Sequence, residues 1–371
     1  MVRDNDLDKW IYKEHTRVKH ELLDKYLGGW LSILGQWHRR LIIVDGFAGR
    51  GEYADGSEGS PIIILRKAAE LIKIGRVGEV VCAFVEKDAA NYANLEDTLR
   101  TKVSASPGVK IYGPVNDSFE NTARGMISSV NGHMAPSFWF IDPLGFTGMS
   151  FDILREIMAL SRSEVFITLM LRDIGRFLSH PDLDATFDRL FGTREWRTIV
   201  YSGQAGETKE KELLNLYVAQ LRSIGCKVTF FRVCMDEKVQ TLYYMVHATK
   251  HARGRLLMKD VVHGQGANGI FAYLGPQDEA ARLQGTLLHE DPIPALKESL
   301  LVRMAGRTAS FEALRNECCD DDELRDPEYR AALKELIDDG RIKVKRVPTK
   351  TPTGRAPRGL RQTDEITFPP I

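Results

Sequence analysis

The feature that most constrains the fold is an apolar run that opens into a glycine-rich turn, with the sequence LIIVDGFAGRGEY over residues 41–53. The first four residues are apolar and three of them are β-branched, which predicts a buried strand. The pattern breaks at Asp45, and Gly46, Gly49 and Gly51 follow. A strand that leads through such a turn into a helix is where α/β proteins bind nucleotide-like ligands. Glycine lets the backbone approach closely, and the helix start offers free N–H groups.

The spacing of the glycines narrows the choice of ligand. A dinucleotide-binding turn reads G-x-G-x-x-G with an acid about 20 residues later, whereas the next acid at a strand end here is Glu86. No Gly-Lys-Ser/Thr occurs, which disfavours a phosphate-binding P-loop. The pattern Asp45-x-Phe47-x-Gly49-x-Gly51 resembles motif I of S-adenosylmethionine (SAM)-dependent methyltransferases. The alternative is a tight strand-to-helix connection that binds nothing.

The following residues alternate between strand and helix patterns. Helices are predicted over 13–35, 60–74, 88–101, 117–130 and 207–224, and strands over 80–85, 109–113, 137–141, 164–171, 227–235 and 240–249. The tight return between the last two strands predicts an antiparallel hairpin. Five β/α units followed by a hairpin give the order of a class I methyltransferase, an α/β, Rossmann-like sheet of seven strands. We therefore expect a domain over residues 1–265 with an N-terminal helix.

Acidic residues follow the strands of this predicted sheet. Glu86 ends the second strand, where a carboxylate can accept both hydroxyls of a ribose, and Asp88 is better placed to cap the next helix. Asp117 follows the third strand and either contacts an adenine amino group or caps a helix. Asp142-Pro143 follows the fourth strand, beside the switch point where two ligands meet, and Asp152 is predicted to cap the next helix.

The segment around Asp142-Pro143 resembles the D/N-P-P-Y/F/W motif of amino-methyltransferases, in which the acid or amide orients a target NH₂ and the aromatic stacks on the base. This chain departs from the motif, because Leu144 replaces the second proline and Gly145 stands in the aromatic position. Phe146 is then the candidate for stacking, and Arg172, after the fifth strand, is a second substrate-binding candidate. A turn aspartate before proline is the alternative.

Length and composition limit the number of domains and the classes of function that the chain can have. A chain of 371 residues has room for one large and one small domain, and a formal net charge of zero means that nucleic-acid binding requires local segregation of charge. The five cysteines form no C-x-x-C pair and no zinc spacing, so we predict neither a disulfide framework nor a metal site. The polar N-terminus and the lack of a long apolar run predict neither a signal peptide nor a membrane span, which suits a cytoplasmic protein.

The C-terminal part has a different pattern. Residues 266–292 read as a linker, and 293–371 as three short helices followed by a hairpin, the layout of a winged helix. Between residues 341 and 363 there are eight Lys/Arg and no Asp/Glu. Among these residues, the candidate contacts to nucleic-acid phosphates are Arg341, Lys343, Lys345 and Arg346. A solvated face and an acidic protein partner are the alternatives.

Several of these motifs together resemble the three-Cys-motif partner proteins, over roughly residues 10–260. They are Lys19-His20 with Leu23 and Tyr26, the turn from Asp45 through Ala48 to Tyr53, Gly59-Ser60-Pro61, and Asp142-Pro143-x-Gly145. The resemblance implies a SAM-methyltransferase fold, a C-terminal winged helix, and a partner that carries three cysteines and is an iron–sulfur radical enzyme. It also makes Lys19 and His20 candidate site residues, since a Lys-His pair before the first strand faces the active site in a group of ribosomal-RNA adenine methyltransferases.

The main hypothesis is a SAM-dependent methyltransferase that acts on nucleic acid or a nucleotide-derived substrate. The turn, with Tyr53, Glu86 and Asp117, would bind SAM, and Asp142-Pro143 would orient the acceptor beside Lys19 and His20. A rival hypothesis is a non-catalytic scaffold that binds nucleic acid and recruits the three-cysteine partner. A NAD-dependent enzyme is disfavoured by the glycine spacing.

Overall fold

The structure is a computed structural model that describes residues 12–102, 106–130, 133–172, 183–202, 206–235, 238–264, 272–273, 291–319, 324–347 and 359–370. The chain divides into two compact units, Met1–Gln284 and Gly285–Ile371. The 266–292 segment predicted as a linker lies almost wholly outside the described residues.

The first unit contains nine described helices and eight strands. The helices are α1 (Glu14–Leu34), α2 (Ser60–Lys73), α3 (Ala89–Lys102), α4 (Phe119–Ser129), α5 (Phe151–Ala159), α6 (Asp184–Phe191), α7 (Trp196–Val200), α8 (Gly206–Ser223) and α9 (Ala252–His263). The strands are β1 (Arg40–Asp45), β2 (Glu79–Val85), β3 (Val109–Val115), β4 (Ser137–Ile141), β5 (Ser163–Leu169), β6 (Lys227–Met235), β7 (Lys238–Thr249) and β8 (Ala272–Tyr273).

The sheet has the strand order β3-β2-β1-β4-β5-β7-β6-β8. Strands β1 to β5 are mutually parallel, and β7 runs antiparallel to both β5 and β6. This order and the reversed β7 confirm the class I methyltransferase-like, Rossmann-like fold. The two-residue β8, parallel to β6, adds an eighth strand to the predicted seven.

Alternate residues of the central strands enter two cores. Val44, Trp139 and Ile167 pack with α4 to α8 on one face of the sheet. Ile43 and Phe138 pack with α1, α2 and α9 on the other. Burial on both faces explains the continuous apolar runs, because such a strand has no solvent side for polar residues.

Two helix starts differ from the sequence prediction, and a third agrees with it. Ser118, not Asp117, caps α4 by accepting a hydrogen bond from Asn121 N–H at 3.3 Å. Ser150, not Asp152, caps α5. Asp88, as predicted, accepts from the N–H of Asn91 at the start of α3. In the two corrected cases, a serine just before the helix is within reach of the free N–H groups of the first turn.

The second unit contains three described helices and a small sheet. They are α10 (Pro292–Arg303), β9 (Thr308–Ser310), α11 (Phe311–Cys318), α12 (Asp326–Asp338), β10 (Lys343–Lys345) and β11 (Glu365–Thr367). The strands form an antiparallel sheet in the order β10-β11-β9. The predicted pairing of β10 with β11 is confirmed, whereas β9 was not predicted. None of the described helices of either unit is long and apolar enough to cross a membrane.

Candidate functional site

The turn after β1 is tightly fitted into the carboxyl edge of the sheet. Gly46 N–H donates to the carbonyl of Phe140 at 2.9 Å, and a Cβ on Gly46 would lie 2.4 Å from the Phe119 ring. Gly49 and Gly51 have φ of 61° and 81°, a region that side-chain-bearing residues rarely adopt. These positions therefore require glycine for conformation and close approach, so the backbone itself forms this part of the edge.

Asp45 holds the turn from beneath. Its carboxylate is fully buried, and Oδ1 accepts the Phe47 N–H at 3.2 Å. Oδ2 has no hydrogen-bond partner among the described residues. Burial raises the pKa of Asp45 to about 7, although the Ser60 hydroxyl and the Phe47 N–H oppose the shift. The Ala48 N–H donates a hydrogen bond to the carbonyl of Val85 at 2.9 Å, which connects the turn to β2. Asp45 thus supports the turn and does not face solvent.

Glu86 links the end of β2 to the same turn. Its Oε2 accepts the Gly49 N–H at 2.9 Å, and its Oε1 accepts the Asp88 N–H at 2.7 Å. Burial raises the pKa of this half-buried carboxyl, and the backbone hydrogen bonds partly offset the rise. Each oxygen can still accept a further hydrogen bond.

Asp117 is exposed and accepts a hydrogen bond from Asn121 Nδ2 at 3.1 Å.

Asp142 lies just beyond β4 and forms a salt bridge with Lys19 of α1. The two side chains are only 18% and 12% exposed, so much of the pair is shielded from water. Lys19 Nζ also lies 5.8 Å from the centroid of the Tyr243 ring, and the Tyr243 hydroxyl donates to the carbonyl of His15 at 2.5 Å. Residues 123 positions apart in sequence therefore meet at the carboxyl edge.

His20 is buried beside this pair. Burial, helped by the Lys19 charge, lowers the pKa of His20 to about 3, so the ring is neutral at pH 7. Its centroid lies 5.6 Å from the ring of Tyr12 and 5.9 Å from that of Tyr53. His20 Nδ1 has no hydrogen-bond partner among the described residues. The predicted Lys19-His20 pair is thus brought to Asp142, with tyrosines around it.

The segment after Pro143 keeps its predicted departure from the amino-methyltransferase motif. Leu144 is 81% exposed, and Gly145 has a φ of 98°. The Phe146 ring packs at 5.0 Å from Phe187 of α6, against the core. Arg172 is half-buried and lies just after β5. Substrate contact by Phe146 and Arg172 remains a prediction.

The basic residues of the second unit are largely paired within that unit. Arg341 pairs with Glu298 at 2.7 Å, Lys345 with Glu365 at 3.0 Å, and Arg346 with Asp364 at 2.6 Å. Lys343 is exposed and has no ion-pair partner in the described part of the chain. The excess of positive charge read from residues 341–363 is therefore partly cancelled by carboxylates outside that window.

Tyr12 and Tyr243 are the site residues that sequence reasoning missed. Tyr243 lies on β7, inside an apolar run, and nothing in its local sequence distinguishes it from a core tyrosine. Tyr12 comes shortly before α1, and only its spacing from His20 could have suggested a shared surface. The described residues contain no group of three or more His, Cys, Asp or Glu side chains placed to hold a metal ion. All five cysteines are buried, and none of them forms a disulfide.

No protein-family model matches this chain, and no curated protein matches it. Solved structures do match. LPL1258 of Legionella pneumophila, from family DUF519, is 10% identical, with 66% of this chain and 90% of that chain covered and a TM-score of 0.40. Trm1 of Pyrococcus horikoshii with S-adenosyl-L-methionine is 10% identical, with 64% and 56% covered and a TM-score of 0.34.

The magnesium protoporphyrin IX methyltransferase ChlM of Synechocystis PCC 6803, with bound SAH, is 9% identical, with 67% of this chain and 94% of that chain covered and a TM-score of 0.32. Since the TM-scores of these matches are low, the fold assignment rests on the strand order and directions of the sheet.

Proposed function

We propose that the protein is a SAM-dependent methyltransferase that acts on nucleic acid or on a nucleotide-derived substrate. The observation that carries the proposal is the convergence of the glycine turn, Glu86 and the Lys19–Asp142 pair at one edge of the sheet. Strands β1 and β4 are neighbours there, and their connections leave on opposite faces. Open α/β sheets bind ligands at such a switch point.

The SAM site is assigned to the turn and the two following strand ends. Gly46 to Gly51 form the cradle for the methionine end, Glu86 accepts the ribose hydroxyls and Asp117 contacts the adenine. Phe47, Ala48 and Tyr53 complete the pocket wall. Glu86 is well suited, because the N–H groups of Gly49 and Asp88 hold its carboxylate in place while leaving acceptor capacity.

Asp142 and Pro143 are assigned to the acceptor. SAM supplies an electrophilic methyl group on its sulfonium, and the protein must place a nucleophile in line with it and exclude water. The Asp142 carboxylate accepts a hydrogen bond from the target NH₂ group, so that the nitrogen lone pair faces the methyl group. Lys19 then shares or leaves its contact with Asp142, and neutral His20 borders the site without adding charge.

Titration calorimetry of the full chain with SAM tests the cofactor assignment. We expect binding by the wild type and a loss of about tenfold or more for Glu86→Ala, since hydrogen bonds to a charged group are involved. The matched control is Glu79→Ala, at the opposite end of the same strand, where the carboxylate pairs with Arg40 and Lys110. Absence of binding by the folded wild type would contradict the proposal.

Transfer of a labelled methyl group from SAM to RNA, DNA or nucleotides tests the acceptor assignment. Asp142→Ala should reduce transfer by about a hundredfold or more, because positioning effects of this kind are large. Its affinity for SAM should change little. Equal transfer by wild type and variant would remove Asp142 from the site.

The second candidate function is a non-catalytic scaffold that binds nucleic acid and pairs with a three-cysteine protein. It is supported by the engagement of Asp142 by Lys19 and by the missing aromatic at Gly145. In this hypothesis the second unit is a winged helix, in which Lys343 and its paired neighbours contact phosphates. Removing Arg341, Lys343, Lys345 and Arg346 together should then reduce the salt dependence of nucleic-acid binding, while no methyl transfer occurs with any variant.

A further inference from the structure

A pocket lies within the first unit, at the amino edge of the parallel strands. It has a volume of about 230 Å³ and is bounded by the end of α1, the residue before β5 and the first turn of α9. Trp30 and Trp37 line it, with the apolar side chains of Ile33, Leu34 and Leu257. The glycine turn and Asp142 lie beyond the opposite ends of the strands, so this pocket is separate from the site described above.

The rim of the pocket carries cationic groups that are not neutralised by neighbouring acids. Arg162 and Arg253 line it, and neither has a carboxylate partner in the described part of the chain. The lining also includes His251, just before α9, and Arg253 and Gly254 of its first turn. The N–H groups of a first turn have no partner inside their helix, and the helix dipole adds positive potential there.

One of the lining residues, Trp30, carries a buried donor without an acceptor in the described part of the chain. Trp30 is 2% exposed, and its Nε1–H has no hydrogen-bond partner among the described residues. A buried polar group usually finds a partner, because leaving it unpaired costs free energy. This donor is independent of the helix terminus and of the arginines, and it also calls for an acceptor.

Glu164 is the one acidic group in the lining, and its carboxylate is already engaged. Its Oε2 accepts from Tyr26 Oη and lies 3.1 Å from His247 Nε2. The residue is only 5% exposed, and a Cβ on Gly254 would lie 2.9 Å from its Oε1. Glu164 is thus a buried carboxylate that is bonded to Tyr26 and His247, whereas Arg162 and Arg253 are exposed at the pocket.

We infer that this pocket binds a small molecule with a planar apolar body and one anionic group. The body lies among the indole and aliphatic side chains, and the anion meets Arg162, Arg253 and the first turn of α9. The volume is below the 300–1,000 Å³ usual for drug-sized ligands, which restricts the body to one or two fused rings.

Calorimetric titration of the full chain with 2-naphthoate tests the inference. Saturable 1:1 binding is expected, and 2-naphthylmethylamine, which has the same body and the opposite charge, should not bind. Arg253→Ala should weaken 2-naphthoate binding by about tenfold or more, and Arg253→Glu should abolish it. Because Arg253 is exposed, neither substitution disturbs the core.

Two controls locate the binding. Arg100→Ala removes another exposed arginine, on α3, and this variant should bind 2-naphthoate as the wild type does. Glu86→Ala, at the opposite edge, should also bind unchanged. The inference is overturned if the wild type does not bind 2-naphthoate, if the amine binds equally well, or if Arg253→Glu has no effect while Glu86→Ala does.

Discussion

Two aspartates follow neighbouring strands at the same edge of the sheet and have opposite environments. Asp45 ends β1 and is fully buried beneath its own turn, whereas Asp142 follows β4, remains partly accessible and pairs with Lys19. At Gly46, next to Asp45, the backbone lies so close to the Phe119 ring that a side chain would not fit. The segment after Pro143, in contrast, is exposed to solvent at Leu144. The comparison teaches that an acid at a strand end becomes a buried support or a partly accessible, ion-paired group according to what covers it.

The largest expected effect concerns the pH dependence of stability at Asp45. Because its pKa in the folded state is raised from 3.8 to about 7, its contribution to the free energy of unfolding is fully present below pH 3.8 and is lost as the pH rises to about 7. The loss is on the order of 1.4 kcal/mol for each pH unit in this range. Denaturant unfolding at several pH values should show this slope in the wild type relative to Asp45→Asn, whose amide resembles the protonated carboxyl.

Asp117→Asn serves as a control, because the contribution of Asp117 to stability should depend on pH in the opposite direction. Hydrogen bonds from Ser118 N–H and Asn121 lower the pKa of Asp117, so its contribution is present above the ordinary pKa and is lost as the pH falls through the lowered value. An identical pH profile for Asp45→Asn and wild type would show that Asp45 is not a buried support.

An intermediate effect is expected for the Lys19–Asp142 pair. A double-mutant cycle with Lys19→Ala and Asp142→Ala should give a coupling in the free energy of unfolding between about 0.5 and 3 kcal/mol, because both side chains are mostly shielded from water. The control cycle uses Arg155 and Asp152, a pair on α5 whose side chains are 50% and 67% exposed. Its coupling should not exceed about 0.5 kcal/mol. Equal couplings in the two cycles would mean that the site pair is solvated like a surface pair.

The smallest expected effect is on the free energy of unfolding when residues of the segment after Pro143 are replaced. Phe146→Leu should lower the free energy of unfolding by about 0.5–1.5 kcal/mol, since the ring contact with Phe187 is lost. Leu144→Ser should stay within about 0.5 kcal/mol of wild type, because the side chain is exposed. Thermal or denaturant unfolding measures both. A Phe146→Leu variant as stable as the wild type would show that the ring contact with Phe187 does not stabilise the fold.

Sequence reasoning failed where buried polar groups interrupt the apolar pattern. The helix α9 was not predicted, since Arg255 and Lys259 occupy its buried face, where the amphipathic pattern requires apolar residues. Arg255 Nε donates to the carbonyl of Val228 on β6 at 3.0 Å. That partner is distant in sequence, so no local pattern could reveal why these charges are tolerated there.

The sequence by itself determined the alternation of strands and helices, the hairpin of β6 and β7 and the glycine turn, because each depends on local conformational preference and on burial that repeats along the chain. Only the tertiary structure decided which strand-end groups act together. It buried Asp45 and joined Glu86 to Gly49. It also brought Lys19 to Asp142, and it paired three of the four basic candidates in the second unit with carboxylates. The physical reason is that desolvation and charge pairing depend on three-dimensional neighbours, which the order of residues does not specify.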